Sequence, residues 1–168
     1  MVRMPADIRT ARVSDIDALV ALENTVFEAD RISRKSFRHF VSADTAVVLI
    51  AEAAGKLTGY AVVLFRKGNA GARLYSIAAA PDAGNGYGRK LLDAAERAAR
   101  DRGARSLRLE VRHDNDRARI LYEKNGYRRI GEVAGYYADG ATAFKYEKPM
   151  NIGAAKAGAP AVMELRRA

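Results

Sequence analysis

Residues 74–92 read LYSIAAAPDAGNGYGRKLL, an apolar strand that stops at Pro81 and passes through three alternating glycines into a helix. Alternating glycines let the backbone turn sharply and approach a ligand without a Cβ in the way. The first amides of the following helix have no internal partner, and together with the helix dipole they favour a phosphate. The stretch therefore predicts a phosphate-binding turn between a strand and a helix.

The glycine spacing excludes two common nucleotide motifs. Gly84, Gly86 and Gly88 do not follow the spacing of the Rossmann fingerprint, and Gly88-Arg89-Lys90 lacks the Ser or Thr that ends a Walker loop. Taken alone, the stretch leaves open a second interpretation, a tight strand-to-helix turn that binds nothing.

A second segment, residues 115–127, reads NDRARILYEKNGY. Asn115 or Asp114 can cap a helix here, and Gly126 can end it in the left-handed conformation. Positions 115, 118 and 122 share one helical face. The pattern therefore predicts that Asn115 and Tyr122 point the same way.

Together the two segments resemble the acetyl-CoA-binding core of the GNAT superfamily of N-acetyltransferases. The resemblance rests on a strand, a Gly-x-Gly-x-Gly loop, a helix, and Asn-x-x-Ala-x-x-Leu-Tyr-x-x-x-Gly-Tyr. Leu109-Glu110-Val111-Arg112 and Tyr136-Tyr137-Ala138-Asp139-Gly140 resemble the branch that acetylates protein N-terminal amines, including the ribosomal-protein-alanine acetyltransferases. The match covers most of residues 7–150 in element order, and its motifs are specific within residues 74–140.

The resemblance implies an α/β (α+β) fold. The expected GNAT architecture is a mixed, mostly antiparallel sheet of about seven strands flanked by about four helices, with a splayed pair of parallel strands holding acetyl-CoA. Residues 1–150 would form a single acetyltransferase domain, and the Ala- and Gly-rich residues 151–168 a tail or linker.

The resemblance also implies catalytic roles. Glu110, directly or through a water, would be the general base for the amine, and Tyr122 would give a proton to the departing thiolate. Each has a structural alternative: Glu110 could pair with Arg108 or Arg112 on its own strand, and Tyr122 could simply pack on the sheet. The residues implied for acetyl-CoA are Ile77, Ala78, Ala79, Gly84, Asn85, Gly86, Tyr87, Gly88, Arg89, Lys90 and Asn115.

The implied acceptor site takes Phe27 from the first helix pair and Tyr136 and Tyr137 from the last loop, with Glu28 and Asp30 as weaker candidates. The tyrosine pair would hold a peptide backbone, so the expected acceptor is the α-amine of a protein or peptide. A small-molecule amine is the first alternative, and a catalytically silent acyl-CoA-binding module is the second. A core Phe and a stacked tyrosine loop are the structural alternatives.

The phosphate loop departs from the family pattern. Counted from Pro81, it is one residue short, and Ala83-Gly84-Asn85 stands where the family has Gln or Arg and a basic residue. Phosphate binding would therefore depend on backbone donors, with a contribution from Arg89 or Lys90. Ala79-Ala80 replaces the commoner Val-Asp before the proline, which alters local packing.

The composition of the chain limits the fold and function classes that it can belong to. A chain of 168 residues with 49% hydrophobic and 29% charged residues is typical of one globular domain, and no cysteine is present for a disulfide or thiol catalysis. His39 and His113 are far apart in sequence, so no metal site is expected. The basic residues behind the net charge of +9 are spread along the chain and not gathered into one run, so no nucleic-acid site is expected. No membrane span or signal segment is evident, so the expected compartment is the cytoplasm.

Hydrophobic periodicity predicts the remaining elements. Ser14 and Ser33 are expected to cap the first two helices, and Ala54-Gly55-Lys56 to turn a hairpin. The helix after the glycine loop should place Leu91, Leu92 and Ala95 inward and Glu96 outward. The expected later strands are residues 106–112, 128–133 and 141–147.

Overall fold

The computed structural model describes residues 7–84 and 86–151. Over these ranges the chain forms seven strands and four α-helices, which confirms the predicted fold class. In chain order they are β1 (Asp7–Thr10), α1 (Ile16–Val26), α2 (Arg34–Ser42), β2 (Ala46–Ala53), β3 (Lys56–Phe65), β4 (Gly71–Ala79), α3 (Tyr87–Asp101), β5 (Ser106–Arg112), α4 (Asp116–Lys124), β6 (Arg128–Val133) and β7 (Ala143–Pro149). The predicted tail lies outside the described residues from position 152 onward.

The strands form one sheet in the order β1-β2-β3-β4-β5-β7-β6. All neighbours are antiparallel except β4 and β5, which run parallel. Their pairing begins at Gly71 with Ser106 and ends at Leu74 with Leu109, although β4 continues to Ala79. The two strands therefore separate, as the predicted splayed pair requires.

A β-bulge lies at the point of separation. On β3, Val62 pairs with Ser76 and Val63 pairs with Leu74, so Tyr75 is an extra residue in β4. Bulges bend a strand and increase its local twist. The bulge therefore accompanies the departure of β4 from β5, one residue beyond their last pair.

Helices cover both faces of the sheet. On one face Leu91 and Leu92 of α3 lie in a core with Leu109 of β5. On the other face Leu19 of α1 and Phe37 of α2 lie in a second core that includes β3. The opening between β4 and β5 lies between these two helical layers.

Two local expectations about helix ends have different outcomes. Ser33 caps α2 as predicted, since its Oγ accepts a hydrogen bond from the amide of Ser36 at 3.1 Å. The expectation for Ser14 was wrong, because Ser14 lies inside a 3₁₀ turn formed by Val13–Asp15. The carboxylate of Asp15 instead accepts a hydrogen bond from the Arg12 amide at 2.7 Å.

The outward orientation predicted for Glu96 was also wrong. Its side chain is buried on α3, accepts a hydrogen bond from the Tyr127 hydroxyl at 2.9 Å and pairs with the ammonium of Lys148 at 3.0 Å. Helical periodicity could not reveal this, because both partners come from segments more than 30 residues away along the chain. Within the described residues, none of the helices is long and apolar enough to cross a membrane.

Replacing Gly59 with Ala should destabilise the fold. A Cβ at Gly59 would lie 2.8 Å from both the carbonyl oxygen of Ala78 and Cδ1 of Leu91, so strand or helix must shift. Overpacking of this kind costs about 1–3 kcal/mol, which corresponds to a melting temperature lower by roughly 2–10 °C. Thermal unfolding followed by circular dichroism measures the change.

Gly131→Ala is the matched control, because a Cβ there meets no atom within 4 Å. Its melting temperature should stay within about 2 °C of the wild type. Equal melting temperatures for both variants would contradict the close packing described at Gly59.

Candidate active site

The splayed part of β4 presents free backbone donors. The amide of Ala80 donates to the carbonyl of Thr58 on the β3 side at 2.7 Å. Because amide direction alternates along a strand, the amides of Ile77 and Ala79 point to the opposite side, toward β5. No described strand pairs with β4 there beyond Leu74. These two amides are therefore available to a ligand lying in the opening.

The N-terminus of α3 supplies further donors. Gly86 is the N-cap with φ of 93°, a left-handed value suited to glycine, and no side chain caps the helix. The first amide with a helical partner is that of Lys90, which donates to Gly86 at 3.1 Å. The preceding amides and the helix dipole thus favour a diphosphate. Asn85, predicted to bind the coenzyme, lies outside the described residues.

The side chains around this turn contribute little to the cleft. Tyr87 is buried in the core of the α3 face, so the ligand-facing part of this residue is its amide. Arg89 is exposed and lies 4.0 Å from Asp93 on the same helix. Lys90 lines a separate depression of about 480 Å³ between α3 and the β1–β2 edge. The structure therefore places the Lys90 side chain away from the opening.

A cleft of about 870 Å³ contains the opening between β4 and β5. Its lining brings together Phe27, Glu28, Asp30, Ser76, Ile77, Glu110, Asn115, Tyr122, Tyr136 and Tyr137, among others. Both predicted catalytic residues and all three predicted acceptor residues are among them. Ala78, Ala79, Gly84 and residues 86–90 are not among the lining residues.

Tyr122 presents a buried hydroxyl to this cleft. Its side chain is 5% exposed, and its ring packs against Tyr127 and Tyr146 with centroids 5.7 and 6.4 Å away. In the part of the chain that the structure describes, the hydroxyl has no hydrogen-bond partner. Burial first, and the neighbouring Tyr137 second, raise the pKa of Tyr122 above its ordinary value. Tyr122 therefore stays protonated at neutral pH and can donate to a ligand.

Asn115 is the N-cap of α4, where its Oδ1 accepts a hydrogen bond from the Ala118 amide at 3.2 Å. Since the carbonyl oxygen is used for the cap, the side-chain NH₂ group remains as a donor. Among the described residues no acceptor is bonded to it. The cap thus positions an amide donor at the cleft, one turn before Ala118 and two before Tyr122.

Glu110 is held by an arginine that sequence reasoning missed. Its carboxylate accepts a hydrogen bond from Nε of Arg73 at 3.0 Å, and its side chain is 17% exposed. The alternative ion pairs of Glu110 with Arg108 or Arg112 are not formed. Arg108 pairs with Glu147, and Arg112 pairs with Asp114 and Asp139. No local pattern indicates a contact that spans 37 residues of sequence.

Arg73 also contacts the loop between β6 and β7. Its Nη2 donates to the hydroxyl of Tyr136 at 2.7 Å. The rings of Tyr136 and Tyr137 meet edge to face at 5.0 Å, and the Arg112 guanidinium lies 5.6 Å from the Tyr137 ring centroid. One guanidinium therefore joins β4, β5 and the β6–β7 loop at the mouth of the opening.

The α1–α2 loop and the β6–β7 loop touch across the cleft. Asp30 has φ of 56°, and its Oδ2 accepts a hydrogen bond from the Ala138 amide at 3.3 Å. Phe27 ends α1, and its carbonyl accepts a hydrogen bond from Nε of Arg31 at 2.6 Å. The two loops therefore form opposite walls that meet above the opening.

A second carboxylate, Glu23, reaches the cleft wall from α1. It is 1% exposed and accepts hydrogen bonds from the Ile32 amide at 2.7 Å and from the Tyr60 hydroxyl at 2.5 Å. Tyr60 is in turn 2.8 Å from Oγ of Ser76. A carboxylate four residues after Leu19, on the apolar face of α1, is the signal that could have revealed it.

Comparisons with known proteins agree with this architecture. The model of the Acetyltransferase (GNAT) family matches residues 15–127. A putative [ribosomal protein bS18]-alanine N-acetyltransferase of Bacillus subtilis is 30% identical over 135 residues, which cover 80% of this chain and 88% of that protein. An N-alpha-acetyltransferase of Sulfurisphaera tokodaii is 28% identical over 159 residues, covering 85% and 92% of the two chains.

The crystal structure of the ribosomal-protein-S18-alanine N-acetyltransferase from Escherichia coli superposes with a TM-score of 0.77 at 28% identity. The match covers 86% of this chain and 94% of that one. Because the family model spans well over half of the sequence, the chain belongs to the GNAT family of acetyltransferases. It is an N-acetyltransferase, and the co-substrate of the family is acetyl-CoA.

Loss of Arg73 should weaken acceptor binding through Tyr136. Arg73→Met removes one charge-assisted hydrogen bond to the Tyr136 hydroxyl and one to Glu110. Because the Arg73 side chain is partly exposed, the loss of these bonds should have a moderate effect. The KM of the acceptor should rise about 3- to 10-fold, and the KM of acetyl-CoA should stay unchanged. Tyr136→Phe should give a similar increase, and the double variant no larger one.

Arg108→Met is the matched control for that series, because Arg108 forms its ion pair with Glu147 outside the cleft. Steady-state kinetics with varied acceptor should show wild-type constants for it. Fully additive effects of the Arg73 and Tyr136 substitutions would contradict the shared contact.

Proposed function

We propose that this protein transfers the acetyl group of acetyl-CoA to the α-amine of a protein or peptide N-terminus. The observation that carries the proposal is the single cleft that holds Glu110 and Tyr122 below two loops joined by Asp30 and Ala138. Because these two loops meet above the opening, the cleft is suited to binding the end of a peptide chain. The relatives named as N-terminal or alanine acetyltransferases support the same acceptor class.

The residues around the opening fit coenzyme A. Free amides at the start of α3 suit a diphosphate, and the unpaired amides of Ile77 and Ala79 suit the amide-bearing pantetheine arm and the thioester oxygen. The side-chain NH₂ of Asn115 is a further donor for this arm. The Tyr122 hydroxyl is a buried polar group without a hydrogen-bond partner among the described residues, and the sulfur of coenzyme A would provide one. When bound, acetyl-CoA supplies an activated acetyl thioester.

Acid and base functions are divided between the two faces of the sheet. Glu110, directly or through a water, is a base that accepts a proton from the amine nitrogen in the course of acetyl transfer. Tyr122 gives its hydroxyl proton to the leaving sulfur. The raised pKa of Tyr122 keeps its hydroxyl protonated at neutral pH, so the general acid carries its proton at the start of each turnover.

The tyrosine pair and Phe27 provide the contacts for the acceptor backbone. Tyr136 is 41% exposed, and Tyr137 and Phe27 are half-buried, so the three rings offer an amphipathic surface beside the opening. Aromatic side chains with hydroxyls pack on a peptide and hydrogen-bond its amides. A small polyamine is the second candidate acceptor, because Glu28 is exposed at the cleft and pairs with no cation among the described residues.

An acceptor panel tests the proposal. Thiol release from acetyl-CoA should be fastest with peptides that have a free N-terminus, and N-terminally blocked peptides containing lysine should be at least about tenfold slower. Faster release with spermidine would favour the polyamine candidate. A melting temperature raised by acetyl-CoA without thiol release on any amine would identify a silent acyl-CoA-binding module.

Tyr122→Phe should separate chemistry from binding. Loss of the proton donor should lower kcat about 10²-fold, while the dissociation constant for acetyl-CoA, measured by calorimetry, changes by less than about threefold. Tyr146→Phe is the control, since Tyr146 is also buried but donates to Glu123 away from the cleft lining. Unchanged kcat in Tyr122→Phe would remove this hydroxyl from the mechanism.

A further inference from the structure

A chain of hydrogen bonds leads from the cleft surface to a buried carboxylate. Ser76 lines the cleft on β4, the hydroxyl of Tyr60 lies 2.8 Å from its Oγ, and Oε1 of Glu23 lies 2.5 Å beyond that hydroxyl. A carboxylate only accepts, so Tyr60 donates to Glu23. The single hydroxyl proton of Tyr60 is then used, and Ser76 must be the donor to Tyr60. The direction of the chain is fixed toward Glu23.

Glu23 differs from Glu110 in its surroundings. Glu110 is paired with the Arg73 guanidinium, whereas Glu23 forms no ion pair with any described residue and is held by two neutral donors. The groups that face Glu23 are the Tyr60 hydroxyl from β3, with Ser76 of β4 behind it, and the Ile32 amide from the α1–α2 loop. From α2, the ring of Phe37 packs edge-on against Tyr60 at 5.5 Å.

Both oxygens of the Glu23 carboxylate accept a hydrogen bond, and the one from Tyr60 connects this carboxylate to the cleft. Tyr60 does not need to ionise to pass a proton along this chain, because it can give its own proton to Glu23 while it receives one from Ser76. Burial, and then the charge of Glu23, raise the pKa of Tyr60 far above its ordinary value, so it remains neutral throughout. The chain is therefore suited to conducting a proton inward.

Acetylation of an ammonium requires two protons to leave the nitrogen. One must leave before attack, because an ammonium has no lone pair, and the second leaves as the amide forms. Glu110 accounts for one of these protons under the proposed function. A second acceptor on the same side of the sheet is needed, and Ser76 lies on the face of the sheet that carries Tyr60 and α1.

Resting on the function proposed above, we propose that Ser76, Tyr60 and Glu23 take the first proton from the acceptor ammonium. The N–H bond breaks as Ser76 Oγ gains that proton, Ser76 passes its own proton to Tyr60, and Tyr60 passes its proton to Oε1 of Glu23. The products are a neutral amine and a neutral Glu23 carboxyl. After acetylation the proton returns along the same chain to water in the cleft, and Glu110 takes the second proton.

The test is the pH dependence of kcat/KM for a fixed peptide acceptor between pH 6 and 10. At pH 6.5, Ser76→Ala and Tyr60→Phe should lower kcat/KM about 10- to 100-fold. Above the ordinary α-amine pKa of about 8, the acceptor arrives neutral, so the deficit should shrink to about twofold. Glu23→Gln, which still accepts from the Ile32 amide, should behave like Tyr60→Phe.

Tyr127→Phe is the matched control, because Tyr127 is also a buried tyrosine that donates to a buried glutamate, Glu96, away from the cleft lining. Melting temperatures of all variants, with and without acetyl-CoA, provide a readout besides activity. Tyr127→Phe and Tyr60→Phe should lose comparable thermal stability, and both should keep the stabilisation by acetyl-CoA. Only Tyr60→Phe should show the pH-dependent deficit.

Two results would overturn the relay. A deficit of Ser76→Ala that is the same at every pH, or wild-type kcat/KM for this variant at pH 6.5, would make the three residues structural supports only. Both results require an active wild type, so they leave the proposed function intact. A wild type that releases no thiol with any amine would instead overturn the proposed function and the relay together.

Discussion

The early end of pairing between β4 and β5 is the constraint on which the rest of the structure depends. The two parallel strands pair only as far as Leu74 and Leu109, and the bulge at Tyr75 turns β4 away. Backbone donors that a continuous sheet would consume are thereby left for a ligand. The same separation makes a passage between the two helical layers, one carrying Tyr122 and the other facing Glu110.

Side chains from distant segments hold this opening in shape. Arg73 connects β4 to Glu110 on β5 and to Tyr136 in the last loop, and Asp30 connects the first loop to the last. Each contact is a single hydrogen bond or ion pair, but together they fix four elements around one volume: β4, β5, the α1–α2 loop and the β6–β7 loop. The charges of Arg73 and Glu110 at the mouth are thereby paired within the protein, whereas Glu28 is exposed at the cleft and forms no ion pair with any described residue.

Local sequence determined much of this architecture. The glycine loop, the Ser33 cap, the Asn115 cap and the order of strands and helices were all predictable, because they depend on residues within one or two turns. The Arg73–Glu110 and Glu23–Tyr60 contacts were not, since each joins residues 37 positions apart. Periodicity shows on which face of a helix a residue lies, but it does not show which distant segment packs on that face. For the same reason Glu96 was wrongly predicted to point into solvent, although Tyr127 and Lys148 cover it.

Under the proposed function, thioester and amine meet inside the opening between β4 and β5, approaching from opposite faces of the sheet. A crystal structure with a peptide joined through its N-terminal acetyl group to the sulfur of coenzyme A tests this most directly. We expect the diphosphate on the first amides of α3, the linkage between Ile77 and Glu110 beside the Tyr122 hydroxyl, and the peptide along Tyr137. A conjugate bound on one face alone, with no atom of the linkage between the two strands, would contradict it.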